Sequence, residues 1–239
     1  MRFRLPALCG ALIAACQPAV IIDEDAPEEG DELRRGDVTT SMPQVGELRL
    51  PITDEPGRTA TCTGTMVASQ VVLTAAHCVD YRDEDFDYDS GAFMIHSSVS
   101  SETFTHHIVG YRSFGTGIGD ADLALLHLRE PITGLTPLPL RADEPADGEP
   151  ATIYGYGTND CSPSRASGDL DGNKRRYDFT WGNDPHAICA GDSGGPTLTA
   201  GEVAQVTSYK LNFLFTDSTG FGHVWNHYED LEKQLEAWR

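Results

Sequence analysis

Gly191-Asp192-Ser193-Gly194-Gly195-Pro196 sets a serine inside a glycine-rich turn, and the reading of that turn decides the fold. A serine hydroxyl is a poor nucleophile at neutral pH until an imidazole takes its proton. The imidazole works best when a buried carboxylate holds its other nitrogen. Two strings upstream offer these partners: Thr74-Ala75-Ala76-His77-Cys78 contains a base, and Asp122-Leu123-Ala124-Leu125-Leu126 begins with an acid. The glycines let the backbone turn so that the amides of Gly191 and Ser193 face one point, where a carbonyl oxygen gaining charge finds two donors.

The order His, Asp, Ser along the chain is that of chymotrypsin-like proteases. Subtilisins run Asp, His, Ser, and α/β-hydrolases run Ser, acid, His. The flanks make a resemblance to trypsin-like serine proteases specific. Cys62-Thr63-Gly64-Thr65-Met66-Val67-Ala68-Ser69-Gln70-Val71-Val72-Leu73-Thr74 looks like the family's hairpin into the catalytic histidine. Cys62 and Cys78 stand 16 residues apart, and His77 and Asp122 stand 45 apart, both as in the family. The serine turn is identical to the family motif over six consecutive residues. It also satisfies the G-x-S-x-G pattern of α/β-hydrolases, with Asp217 and His223 downstream. Only 46 residues follow Ser193, however, and no strand-helix alternation precedes it, so that fold is rejected.

The resemblance implies an all-β fold of two packed antiparallel six-stranded β-barrels with a C-terminal α-helix. It implies a catalytic triad of His77, Asp122 and Ser193 with an oxyanion hole at Gly191 and Ser193, and no cofactor. Asp122 is chosen over Asp120 because the apolar run starts directly after it, which leaves Asp120 as a loop residue. Ser208 matches the serine that hydrogen-bonds the catalytic carboxylate, and Asp192 matches the aspartate that pairs with a new N-terminal amine after activation cleavage. Here the sequence departs from the family. Leu33-Arg34-Arg35-Gly36 stands where Ile-Val-Gly-Gly is expected, so the amine could come from a cut at Glu32-Leu33 or after the dibasic Arg34-Arg35.

The residue six before the nucleophile, at the floor of the family's primary pocket, is Ala187. An aspartate there selects arginine and lysine; without it a buried substrate cation has no partner, so tryptic specificity is not expected. The family's Ser-Trp-Gly pocket wall appears as Ser208-Tyr209-Lys210, and Lys210 narrows the mouth where glycine leaves it open. Cleavage after small or medium apolar residues is expected, or after acidic ones if the Lys210 ammonium turns inward.

A chain of 239 residues suits one all-β domain of this kind. The formal net charge of −20 argues against nucleic acid, whose phosphates require a basic surface. Clustered acids between Asp80 and Asp89 are of the type a hard cation wants, but their spacing matches no calcium loop, and no metal is assigned.

Met1-Arg2-Phe3-Arg4 followed by an apolar run to Ala15 reads as a secretory signal, too short to span a membrane. Its end, Leu12-Ile13-Ala14-Ala15-Cys16, looks like the lipobox of bacterial lipoproteins, which makes Cys16 a lipidation site and the lipid the chain's link to a membrane. The other reading is ordinary signal-peptidase cleavage with Cys16 incidental. Residues 1–16 are thus assigned to the signal, the acidic, proline-containing stretch 17–32 to a disordered linker, and 33–239 to the protease-like domain.

Within that domain, strand-like runs appear at 45–50, 63–67, 71–74, 123–128, 151–156, 197–199 and 203–208. Tyr228, Leu231, Leu235 and Trp238 share one face at helical spacing, with Asn226 as candidate cap and Glu229 three residues on. Four cysteines remain after the signal, which permits three pairings. The resemblance joins Cys62 to Cys78 and leaves Cys161 for Cys189, although the family normally pairs the latter with a cysteine near Ser208, where none exists here.

The sequence therefore reads as an exported, monomeric serine endopeptidase acting on protein or peptide. The rival is an inactive protease-like domain that serves as a surface binding module.

Overall fold

The computed structural model describes residues 36–80, 86–96, 102–115, 118–157, 172–183, 188–213 and 216–239, with the backbone alone for 209–213 and 216–219. The signal, the linker, Cys16, Leu33, Arg34, Arg35, Cys161 and Ala187 lie outside the described residues, as do the side chains of Tyr209 and Lys210.

The chain is mostly β, with one short C-terminal helix. A short strand β1 (Asp37–Val38) precedes β2 (Val45–Pro51), β3 (Thr59–Ala68), β4 (Val71–Thr74), β5 (Ala92–His96), β6 (Thr103–Ser113) and β7 (Ala124–Leu128). Strands β2 to β7 close into an antiparallel barrel in the order β2-β3-β4-β7-β6-β5. The second half holds β8 (Pro150–Gly155), β9 (Arg175–Thr180), β10 (Pro196–Thr199), β11 (Glu202–Phe213) and β12 (Thr216–His223). With β1 they form a six-stranded sheet in the order β1-β9-β8-β10-β11-β12.

The residues account for this arrangement. Strands β4 and β7 are near-continuous runs of Val, Leu and Ala, and all of β4 is buried, as expected where both faces of a strand are covered. Strand β6 alternates little: Thr103, Phe104, Thr105, His107 and Val109 face solvent, and Ile108 alone is fully buried. The core is contiguous across the halves: Leu48, Met66, Val72 and Leu125 from the barrel join Tyr154, Leu198 and Val206 from the sheet. Helix α1 (Tyr228–Trp238) adds Leu231 and Leu235 to it, and Trp238 stacks on His127 at 5.0 Å.

The start of α1 differs from the expectation. The capping position is His227, with no side-chain capping bond, after a 3₁₀ turn at Trp225–His227. Asn226 instead donates its Nδ2 to Asp120 Oδ1 at 2.9 Å. The carboxylate across the seam offers a charge-assisted bond.

Candidate active site

His77 is delivered by β4. Thr74 ends that strand, and Ala76–Cys78 wind into a 3₁₀ turn, with Ala75 before it and Ala76 within it fully buried. A disulfide from Cys78 to Cys62 on β3, with Cα atoms 6.3 Å apart, closes the turn onto the preceding hairpin. Asp122 stands two residues ahead of β7, and the buried Leu123 fixes it in the barrel wall.

The Asp122 carboxylate is fully buried and used on both oxygens. Oδ1 accepts the His77 backbone N–H at 2.8 Å, and Oδ2 is 2.7 Å from His77 Nδ1. Ser208 Oγ, from β11 in the other half, donates to the same Oδ2. With Nδ1 donating to the carboxylate, His77 Nε2 is left as the acceptor, which is the tautomer a general base needs.

Ser193 and His77 line one cleft of about 220 Å³, together with Gly191, Cys62, Ile52 and Phe86. Ser193 Oγ lies 3.5 Å from the Ser208 carbonyl, a long contact that leaves the hydroxyl to turn. Nucleophile–base hydrogen bonds are commonly loose before substrate binds. Among the described residues the amides of Gly191 and Ser193 donate to no protein acceptor.

The serine turn is held from both halves. Thr63 on β3 donates its N–H to Ser193 O at 2.7 Å and its Oγ1 to Gly191 O at 2.8 Å. On the other side, Gly194 N–H donates to Thr207 O, and Thr207 N–H to Gly195 O, each at 2.8 Å. Gly194 has φ +83°, and a Cβ there would lie 2.1 Å from Thr74 Oγ1, so no other residue fits.

Asp192 points inward, away from the cleft. Its Oδ1 accepts Gly157 N–H at 2.7 Å and its Oδ2 accepts Cys189 N–H at 2.8 Å. A Cβ on Gly155 would come within 2.1 Å of Oδ1, and one on Gly157 within 2.4 Å of the carboxyl carbon. The two glycines after Ile153 thus form the cradle for this side chain. Burial pushes its pKa up to about 6, against the two amides and the Arg175 charge, which pull it down.

Asp120 does more than the loop position expected of it. Its Oδ1 meets His223 Nδ1 at 2.8 Å and its Oδ2 meets His227 Nε2 at 3.2 Å, with Asn226 also on Oδ1. Partial burial raises its pKa, but the Asn226 and His227 hydrogen bonds and the charges of His223 and His227 outweigh that and hold it below the ordinary value. The loop that carries Asp122 is thereby tied to the start of α1.

For the expected pocket residues only backbone register is described: Tyr209 pairs with Gly220 and Lys210 with Thr219 in the β11–β12 ladder. Cys189 is disulfide-bonded, with its partner outside the described residues. Among the described residues, the His/Cys/Asp/Glu group tight enough for a metal is Cys62, His77 and Cys78. Two of these sulfurs are spent in the disulfide and are not thiolates. A separate groove of about 310 Å³, lined by Phe104, His106, Ile132 and Leu135, contains none of the triad residues.

Fold and disulfide together define a chymotrypsin-fold serine protease domain. A sequence model of the family described as Trypsin matches residues 39–220, and the chain belongs to that family. It is 25% identical over 203 residues to a trypsin of Saccharopolyspora erythraea, covering 74% of this chain and 87% of that one. Trypsin eta of Drosophila erecta is 25% identical over 193 residues, 69% of this chain and 74% of its own. Among solved structures, mouse brain neuropsin superposes with a TM-score of 0.63 at 18% identity, covering 84% of this chain and 99% of neuropsin. Human heparin binding protein gives 0.62 at 20% identity, covering 84% and 96%. These two show the fold.

The Asp192 carboxyl has a measurable consequence. Between its unfolded pKa near 4 and its folded value of about 6, the folded chain binds the extra proton, so this group's contribution to stability falls as pH rises through that window. Denaturant unfolding from pH 4 to 7 is expected to show this loss in the wild type and not in Asp192→Asn.

Proposed function

We propose that the chain is an exported serine endopeptidase whose triad is His77, Asp122 and Ser193, within a domain spanning 33–239. The observation that carries the reading is the Asp122 carboxylate: it takes both His77 donors and Ser208, while the amides of Gly191 and Ser193 have no acceptor among the described residues. His77 Nε2 takes the Ser193 proton as Oγ attacks the peptide carbonyl. The developing oxyanion lies on the Gly191 and Ser193 amides, and one such donor is worth roughly 3 kcal/mol in comparable sites. His77 then gives its proton to the leaving amine, and water repeats the sequence on the acyl-enzyme. Asp122 stays ionised throughout and stabilises the imidazolium.

The rival is a binding module without activity. One structural neighbour is named for heparin binding, but a chain with net charge −20 is ill suited to a polyanion. A domain selected for binding alone has no use for a buried carboxylate aligned on a histidine. A fluorophosphonate probe is expected to label Ser193. Ser193→Ala and His77→Ala are each expected to reduce peptide hydrolysis to about 10³ to 10⁴ above the water rate, and the double variant to lose little more, because the residues act as a unit. Additive losses in kcat would count against this mechanism, and an unlabelled serine would favour the binding module.

The primary specificity is non-tryptic in this reading, since Ala187 offers no carboxylate and Tyr209 and Lys210 form the wall. Peptide profiling is expected to favour small or medium apolar residues, with acidic ones second; arginyl substrates cleaved as fast as apolar ones would contradict it. Residues 1–16 direct export, and a lipid on Cys16 holds the domain at the cell envelope through the 17–32 tether. Cys16→Ser is expected to release active protein from membranes, and its retention would exclude the lipid link.

A further inference from the structure

An oxyanion hole of this kind depends on Asp192 staying ionised and turned inward, because that side chain fixes the turn bearing the Gly191 and Ser193 amides. In the resemblance drawn from the sequence the charge opposite it is a freshly cut N-terminal amine, and Leu33-Arg34-Arg35-Gly36 stands here in place of the family's Ile-Val-Gly-Gly. The structure offers a cation from another direction.

Arg175, the first residue of β9, is only 5% exposed. Its Nη1 donates to Gly157 O at 3.1 Å and to Asn173 O at 3.3 Å. Gly157 is the residue whose N–H donates to Asp192 Oδ1 at 2.7 Å, so guanidinium and carboxylate grip the two sides of one glycine. Strand β1 covers this point, with Val38 paired opposite Arg175.

A buried carboxylate calls for a nearby cation, and a guanidinium keeps its proton in the interior. Of the charged side chains among the described residues, Arg175 is the one that acts on Asp192, and it favours the ionised form.

We infer that Arg175 supplies, from within the folded chain, the positive charge that holds Asp192 inward and the Gly191–Gly195 turn open, so that Ser193 reacts without cleavage ahead of Gly36. The inference rests on the serine-hydrolase reading above. Arg175 acts through Asp192 and is a positioning residue.

The test is fluorophosphonate labelling of the full chain carrying Arg34→Gln and Arg35→Gln, with intact mass verifying that it is uncut, beside wild-type chain cut within residues 32–36. Comparable labelling rates are expected. Arg175→Met in the uncut chain is expected to slow labelling roughly 100-fold, the scale of losing an oxyanion donor, with the circular dichroism spectrum retained. The acid limb of its rate profile should move to higher pH, because Asp192 has lost its cation, and Arg175→Lys should recover part of the rate. Labelling of the cut chain alone would assign the charge to the new amine and overturn the inference while the protease reading stands. Labelling of neither would remove both. An Arg175→Met chain that labels at the wild-type rate would overturn the inference as well.

Discussion

Thr63 is the residue on which the two halves of this site turn. It is fully buried in β3, its backbone N–H and hydroxyl reach into the other half, and its carbonyl holds the end of the neighbouring strand β4. The N–H and Oγ1 hold the carbonyls of Ser193 and Gly191, the carbonyl accepts Thr74 Oγ1 at 2.8 Å, and Oγ1 accepts Tyr156 N–H at 3.0 Å. One residue, through its backbone and its side chain, therefore sets the separation between the strand that delivers His77, the turn that delivers Ser193 and the strand end that cradles Asp192. In a buried seam each of these bonds is worth more than in water and costs more if left unmade. Valine has nearly the same shape but would strand the Gly191 carbonyl and the Tyr156 amide together.

Two buried carboxylates flank that seam and are treated differently. Asp122 takes hydrogen bonds from both halves of the fold, from the His77 backbone and ring and from Ser208. Asp192 receives two amides and stands with Arg175 on opposite sides of one glycine, yet burial still dominates and leaves it easier to protonate. The residue that shapes the serine turn is thus a carboxylate whose charge burial opposes.

The sequence marked His77, Asp122 and Ser193 as candidate site residues and made much of the first barrel legible, because those segments carry local, contiguous signals. Strand β4 falls where its Val-Val-Leu-Thr run puts it, and β7 begins one residue inside the apolar run after Asp122. Strands β5, β6, β9 and β12 escaped notice for physical reasons. Strand β6 is a largely exposed ribbon of Thr and His without apolar alternation, and β9 is Arg-Arg-Tyr-Asp-Phe-Thr, in which Arg176 pairs with Asp178 at the surface and Arg175 is buried against backbone carbonyls. The long β11–β12 ladder continues to Phe213, where the expected strand stopped at Ser208. Arg175, Thr63 and the Gly155/Gly157 cradle have no motif of their own. The signal available was weak: two glycines at alternate positions beside a strand, where close approach of another group is the usual reason. Asn226 looked like a cap because the helix pattern starts after it, and its side chain was claimed instead by a carboxylate that sequence distance hides.

That carboxylate, Asp120, completes the logic of the two halves. His77 and Asp122 come from the closed barrel, while Ser193, Gly191 and Ser208 come from the second sheet, so neither half contains a site. Thr63 binds the halves at the nucleophile, Ser208 binds them at the acid, and the Asp120 bonds to His223, Asn226 and His227 bind the acid's loop to the last strand and the helix. Because the helix buries Leu231 and Leu235 in the common core, the position of Asp122 is coupled to packing on the far side of the molecule. Local opening is easiest where few apolar contacts hold a segment, and a site spread over a hydrogen-bonded seam is lost when the seam opens, before either half unfolds. The geometry that joins His77, Asp122 and Ser193 therefore depends directly on the docking of the two halves.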